Sequence, residues 1–90
     1  MIVGRVVGNV WATRKEQSLN GLKLMIVRRM DAWGKEEGES LVAVDFIGAG
    51  IGETVLVATG SSARQARELE NSSVDAAIVG IIDEMEVKQG

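Results

Sequence analysis

Two carboxylates bracket the most unusual stretch of this chain. Asp45 and Glu53 stand at either end of "FIGAGIG", in which Gly48, Gly50 and Gly52 fall on alternate positions. A carboxylate pair can divide general acid and base work between its members, and a glycine-rich turn can cradle a phosphate with bare backbone N–H groups. Neither chemistry is completed by the neighbouring residues. A dinucleotide fingerprint needs G-x-G-x-x-G opening a helix; Gly48 and Gly50 fit its first two places, but the third is occupied by Glu53. A P-loop needs Gly-Lys-Ser or Gly-Lys-Thr, and the chain contains neither. The following "ETVLVAT" is β-branched and reads as strand, so no helix N-terminus is offered to an anion. Without a phosphate to hold, the bland reading of the glycines is a turn or β-bulge joining two strands.

Composition narrows the chemistry further. The 90 residues include no His and no Cys, which removes the usual general base, the thiol nucleophile and most transition-metal ligands. An enzyme reading would rest on paired carboxylates such as Asp45 and Glu53, with no cleft between domains to hold a substrate. No catalytic, cofactor-binding or metal-binding residue is therefore assigned, and no cofactor is expected. Ten basic against thirteen acidic residues leave a net charge of −3, which opposes a nucleic-acid partner because phosphate contacts need clustered positive charge. No basic leader precedes an apolar run, and no stretch approaches 18 consecutive apolar residues, so a soluble, cytoplasmic chain without a membrane partner is expected.

Residues 1–90 read as a single domain. A chain of this length buries only about 60–65% of the surface its unfolded form exposes. Its hydrophobic fraction is 46%, yet it holds one Phe, two Trp and no Tyr, so the core must be built from small aliphatic side chains. With no disulfide to staple so thin a core, association with further copies is the remaining route to stability.

Five strands are expected: Ile2 to Thr13, Leu22 to Met30, Leu41 to Ile47, Thr54 to Thr59, and Ala77 to Val87. Asn20-Gly21 closes the first loop, and "DAWGKEEGES" reads as a solvated hairpin loop. The helical candidate is "SSARQARELEN", where Ser62 and Gln65 match a capping box and Arg64 and Glu68 are i,i+4 partners. Five short strands with one small helix after the fourth, and no βαβ rhythm, indicate an all-β fold, a small OB-like barrel.

The second and fifth strands are apolar on both faces. Leu22, Leu24 and Ile26 oppose Met25 and Val27, while Ile78 and Ile82 oppose Val79 and Ile81. A lone soluble barrel hides one face and wets the other, so part of the outer wall should be covered, and another copy is the expected cover.

Several long motifs, in order along the chain, carry a resemblance: "VVGNVWAT", "LNGLKLMIV", "VAVDFIGAGIGE", "VLVATGSSAR" and "DAAIVGIID". Together they resemble the vertex proteins of bacterial microcompartment shells, the EutN/CcmL family, nearly from end to end. "GSSARQA" is similar to the catabolic, ethanolamine-type members more than to the carboxysome members. Members often carry Trp directly after the glutamate of the glycine segment, where this chain has Thr54, so a packing contact there is expected to be weaker.

The resemblance implies a structural protein and not an enzyme. It implies a homopentamer of OB-like subunits at the five-fold corners of a polyhedral shell, among hexameric shell proteins. It also implies that the segment Gly48, Ala49, Gly50, Ile51, Gly52 and Glu53 lies close to the five-fold axis, with alternate glycines clearing one face of an extended segment. For Ser61, Ser62 and Arg64 the bland reading is a helix cap with a solvated arginine; the sharper one is a subunit interface at Ser61, Ser62, Arg64 and Asp83, with Arg64 reaching an acid of the next subunit for which Glu53, Asp45 and Asp83 are candidates. The competing reading for an OB barrel is single-stranded nucleic-acid binding, which wants a basic groove and aromatic stacking platforms.

Overall fold

The computed structural model describes residues 1–12, 17–19, 21–60 and 74–88. Five strands form: β1 (Ile2–Val10), β2 (Leu24–Met30), β3 (Glu36–Asp45), β4 (Thr54–Thr59) and β5 (Ala76–Ile81). They close into a barrel in the order β1-β2-β3-β5-β4. Neighbours run antiparallel except β3 and β5, which pair in parallel through Val44 with Ala77 and Asp45 with Ile78. This is the expected all-β, OB-like barrel. The helix expected over 62–71 lies outside the described residues.

Strand limits follow partners more than composition. β1 stops at Val10, short of the expected Thr13, because its partner begins at Leu24, opposite Val10. For the same reason β2 starts at Leu24 and not at Leu22. β3 begins five residues before the expected Leu41, since the hairpin turn is tighter than "DAWGKEEGES". Asp31 builds that turn: its Oδ1 accepts the N–H groups of Trp33 and Lys35 at 2.9 and 3.0 Å, and Gly34 takes a φ of 80°. The second half of the stretch expected to be a loop, Glu36 to Ser40, is thus strand, solvated on both faces. β5 ends at Ile81 and not at Val87: Ile82 still donates its N–H to the Thr54 carbonyl at 2.8 Å, but Thr54 is the first residue of β4, so the residues after Ile82 run past the end of that partner strand.

Alternation divides the apolar residues between two clusters. Val6, Met25, Val27, Ala43, Val55, Val57 and Ile78 point inward, together with Ala49 from the loop after β3. Each large aliphatic side chain so buried contributes roughly 1.5–3 kcal/mol. Their sequence neighbours Val44, Ala58 and Ala77 point outward and are buried all the same. The cover over this outer cluster includes the chain's own Leu19, Leu22, Leu24 and Phe46, so for this part of the wall the expected second copy is not required. Other outer positions, Val42 among them, stay exposed.

A candidate functional site at the glycine loop

The loop from β3 to β4 is organised by the two carboxylates that bracket it. At the end of β3 the Asp45 side chain turns back over the next residues. Its Oδ1 accepts the N–H groups of Ile47 and Gly48 at 2.9 and 3.1 Å, and its Oδ2 that of Ala49 at 2.8 Å. An aspartate is well suited to this, since a short carboxylate can accept from several successive amides without a helix. Asp45 is only 6% exposed, and a buried charge needs compensation. Besides the three N–H donors it has Lys23, whose Nζ lies 3.5 Å from Oδ2.

The far end of the loop has its own clamp. Oε1 of Glu53 accepts the Gly50 N–H at 2.6 Å, and the Glu53 N–H donates to the Gly50 carbonyl at 3.1 Å. The returning chain is then stitched to β1: Gly52 N–H donates to the Val6 carbonyl at 2.7 Å, and Val6 N–H to the Glu53 carbonyl at 3.0 Å. These bonds fall where the register of β1 against β2 shifts, between Val6 and Gly8. Ala49 enters the barrel as a fully buried plug, whereas Ile51 stands 62% exposed on the outside.

The glycines are not equivalent. Gly48 and Gly52 have φ of 80° and 95°, a conformation L side chains avoid, while Gly50 is outside that region. The segment is therefore a looped turn, not an extended run with one face cleared by alternate glycines. A Cβ at Gly48 or Gly52 would meet nothing within 4 Å, and one at Gly50 would meet only Oε1 of Glu53 at 3.3 Å.

This geometry disposes of the chemical readings of the loop. Both oxygens of Asp45 and Oε1 of Glu53 accept backbone amides, so the two carboxylates serve the loop's own backbone. Among the described residues no group of acidic side chains could hold a metal ion. Asp45, with its oxygens committed, is also not a free partner for Arg64. Ser61, Ser62 and Arg64 lie outside the described residues, while Asp83 is exposed beyond β5. Lys23, the counterion of Asp45, was missed by sequence reasoning and could have been found only through the pairing of β2 with β3. Stacking platforms are not assembled either: Trp11 and Trp33 are both exposed, but they follow β1 and β2 and so sit at opposite ends of the barrel. No helix among the described residues is long and apolar enough to cross a membrane.

Comparison with known proteins adds to this frame. The family described as "Ethanolamine utilisation protein EutN/carboxysome" matches residues 1–83. The bacterial microcompartment shell vertex protein GrpN of Rhodospirillum rubrum is 46% identical over 86 residues, which is 96% of this chain and 97% of that protein. The shell vertex protein EutN of Salmonella typhimurium is 48% identical over 80 residues, covering 89% of this chain and 81% of EutN. The solved structure of GrpN, described as a pentameric microcompartment shell protein, superposes with a TM-score of 0.89 at 44% identity, covering 99% of this chain and all of GrpN (100%). That of Gloeobacter violaceus CcmL superposes with a TM-score of 0.92 at 41% identity, covering 97% and 90%.

Proposed function

The chain belongs to the EutN/CcmL family, and we propose that it is a structural shell protein whose homopentamer caps the five-fold vertices of a bacterial microcompartment in the cytoplasm. The observation that supports this most directly is the agreement of fold and length, nearly end to end, with a pentameric shell protein. A flat sheet of hexameric tiles cannot close, and a pentagonal unit supplies the curvature at which it can. Subunits related by a closed rotation make a ring and not a filament. Hexameric shell proteins are the partners such a cap requires.

The segment Gly48–Glu53 is assigned to the neighbourhood of the five-fold axis. Its inner side is fixed by Asp45, Ala49 and Glu53, while its outer side offers bare backbone at Gly48 and Gly52 and an exposed Ile51. A rigid, slim loop of this kind lets five copies approach closely. Ser61, Ser62, Arg64 and Asp83 are assigned to the subunit contact.

Light scattering coupled to size exclusion tests the assembly, with about five chain masses expected for closed five-fold symmetry. A monomer at micromolar concentration would overturn the reading, and a hexamer would overturn the vertex role. Arg64→Ala should weaken the ring while leaving the β-sheet circular dichroism intact.

A further inference from the structure

We propose that Arg5 and Arg28 form a carboxylate-receiving site on the outer wall of the barrel, completed by the acidic segment Asp83–Glu86 of a second copy of the chain. The inference rests on the homopentamer reading and supplies a specific contact for it.

Arg5 of β1 stands directly opposite Arg28 of β2. Thr54 of β4 pairs with Arg5 on one side and Ser40 of β3 with Arg28 on the other, so one row crosses four strands. Val6 and Val27, the next residues along, are fully buried inside, so by alternation the arginines point outward. Like charges directly opposite on a sheet repel. Here they sit in a chain whose net charge is −3, which makes an adjacent pair of cations an arrangement to be explained.

Both side chains are half-buried, and Nε of Arg28 is shut off from solvent with no hydrogen-bond partner. Among the described residues the one ion pair joins Lys23 to Asp45 and involves neither arginine. A desolvated guanidinium N–H without an acceptor is costly, and guanidinium groups are matched best by carboxylates. The wall is therefore incomplete in a single copy.

Among the described residues, the chain's own acids decide the donor. Asp31, Asp45 and Glu53 already accept backbone amides. Glu36, Glu37 and Glu39 belong to β3, the strand paired with the arginines' own β2. Contacts in a five-membered ring are head-to-tail, so one patch meets a different patch of its neighbour and not its own image. Asp75 is a single carboxylate just before β5, whereas two guanidinium groups call for two. The segment after β5 supplies them: Asp83, Glu84 and Glu86 are exposed and lie outside every strand. If that segment is extended, Glu84 and Glu86 share one side of it, about 7 Å apart. That separation is within reach of long arginine side chains whose Cβ atoms are about 5 Å apart across the strands.

The test is native mass spectrometry across a dilution series of the full chain, its Arg28→Gln and Arg5→Gln variants, a Glu84→Gln/Glu86→Gln double variant, and the charge swap combining Arg28→Glu with Glu84→Arg. Loss of the pair should raise the dissociation midpoint by about tenfold or more, with circular dichroism unchanged and the swap recovering part of the loss. The tail variant carries the test if an arginine variant misfolds, because Glu84 and Glu86 are exposed and outside the barrel. A parent chain that is not oligomeric would overturn the homopentamer reading itself. A pentameric parent whose tail variant dissociates at the same concentration would overturn only the site proposed here, as would a double variant that behaves normally beside a weakened Arg28→Gln.

Discussion

Asp45 and Ala49 are joined by a 2.8 Å hydrogen bond from the Ala49 N–H to Oδ2, formed at a carboxylate only 6% exposed. Through it a buried charge at the end of β3 fixes the residue that plugs the barrel interior four positions later. Electrostatics and core packing are thereby coupled at a single turn of chain.

Asp45→Asn should cost about 2–3 kcal/mol, because the amide nitrogen that replaces one oxygen cannot accept and leaves a buried donor unpaired. Lys23→Gln removes the other charge of the pair, yet the Lys23 side chain is 53% exposed, so its loss should cost less than about 1 kcal/mol. Urea unfolding midpoints at matched protein concentration compare the two. Equal costs would mean that the ion pair, and not the amide bonds, holds the loop.

How much of this was legible beforehand depends on what each residue responds to. Thr54 to Thr59 was readable to its limits, since glycines stand just before and just after a β-branched run. The start of β3 was not: "EEGES" alternates nothing apolar, and its strand state comes from pairing with β2, which local composition does not encode. The glycine loop was noticeable as a motif, but its organisation lies in Asp45 and Glu53 serving their own backbone. Those two side chains read equally well as reactive groups until the geometry shows both oxygens of Asp45 and Oε1 of Glu53 on backbone amides. That Phe46 and Leu22 would cover the outer cluster depended on where two loops return, a tertiary outcome that alternation alone leaves open.

The positive φ values separate the three loop glycines. Gly48→Ala and Gly52→Ala should each destabilise by about 1–2 kcal/mol, with Asn in either place milder. Gly50→Ala should be gentler, its Cβ meeting only the end of a flexible glutamate. Thermal unfolding of the three variants ranks them, and a Gly50→Ala as damaging as Gly52→Ala would contradict the backbone argument. Gly50→Val probes the axial assignment separately: crowding there should impair ring formation more than Gly50→Ala does.

Gly4 and Gly8 lie in one strand with opposite expectations. A Cβ on Gly4 would collide with Cγ1 of Val27 and come within 2.8 Å of the Arg28 carbonyl oxygen, so Gly4→Ala should lose about 3 kcal/mol through backbone displacement. At Gly8 the nearest atom is Cδ1 of Ile26 at 3.5 Å. Gly8→Ala should therefore be neutral or gain about 0.5 kcal/mol by restricting the unfolded chain. Denaturant midpoints for the pair would expose an error in either direction.

Glu53 can be probed through the amide it holds. Glu53→Ala removes the acceptor of the Gly50 N–H, and exchange of that amide with deuterium should accelerate by about tenfold or more, as loss of about 1.5 kcal/mol of protection implies. Glu53→Gln keeps an acceptor oxygen and should retain most of the protection. Unchanged exchange in the alanine variant would show that the Gly50 amide is protected by other means.

The seam between the first and fourth strands pairs Ile2 with Val57, and β5 then occupies the place between β3 and β4. Such contacts join parts of the chain that emerge from the ribosome far apart in time. Until residues 76–81 are released, β3 and β4 expose hydrogen-bonding edges that only the last strand can satisfy, and the first strand must wait for the fourth. Folding should accordingly be slow for so small a chain, and the nascent subunit has adhesive edges before it has a closed wall. Its rate of closure, and not only its final stability, would set how many chains reach assembly instead of aggregating.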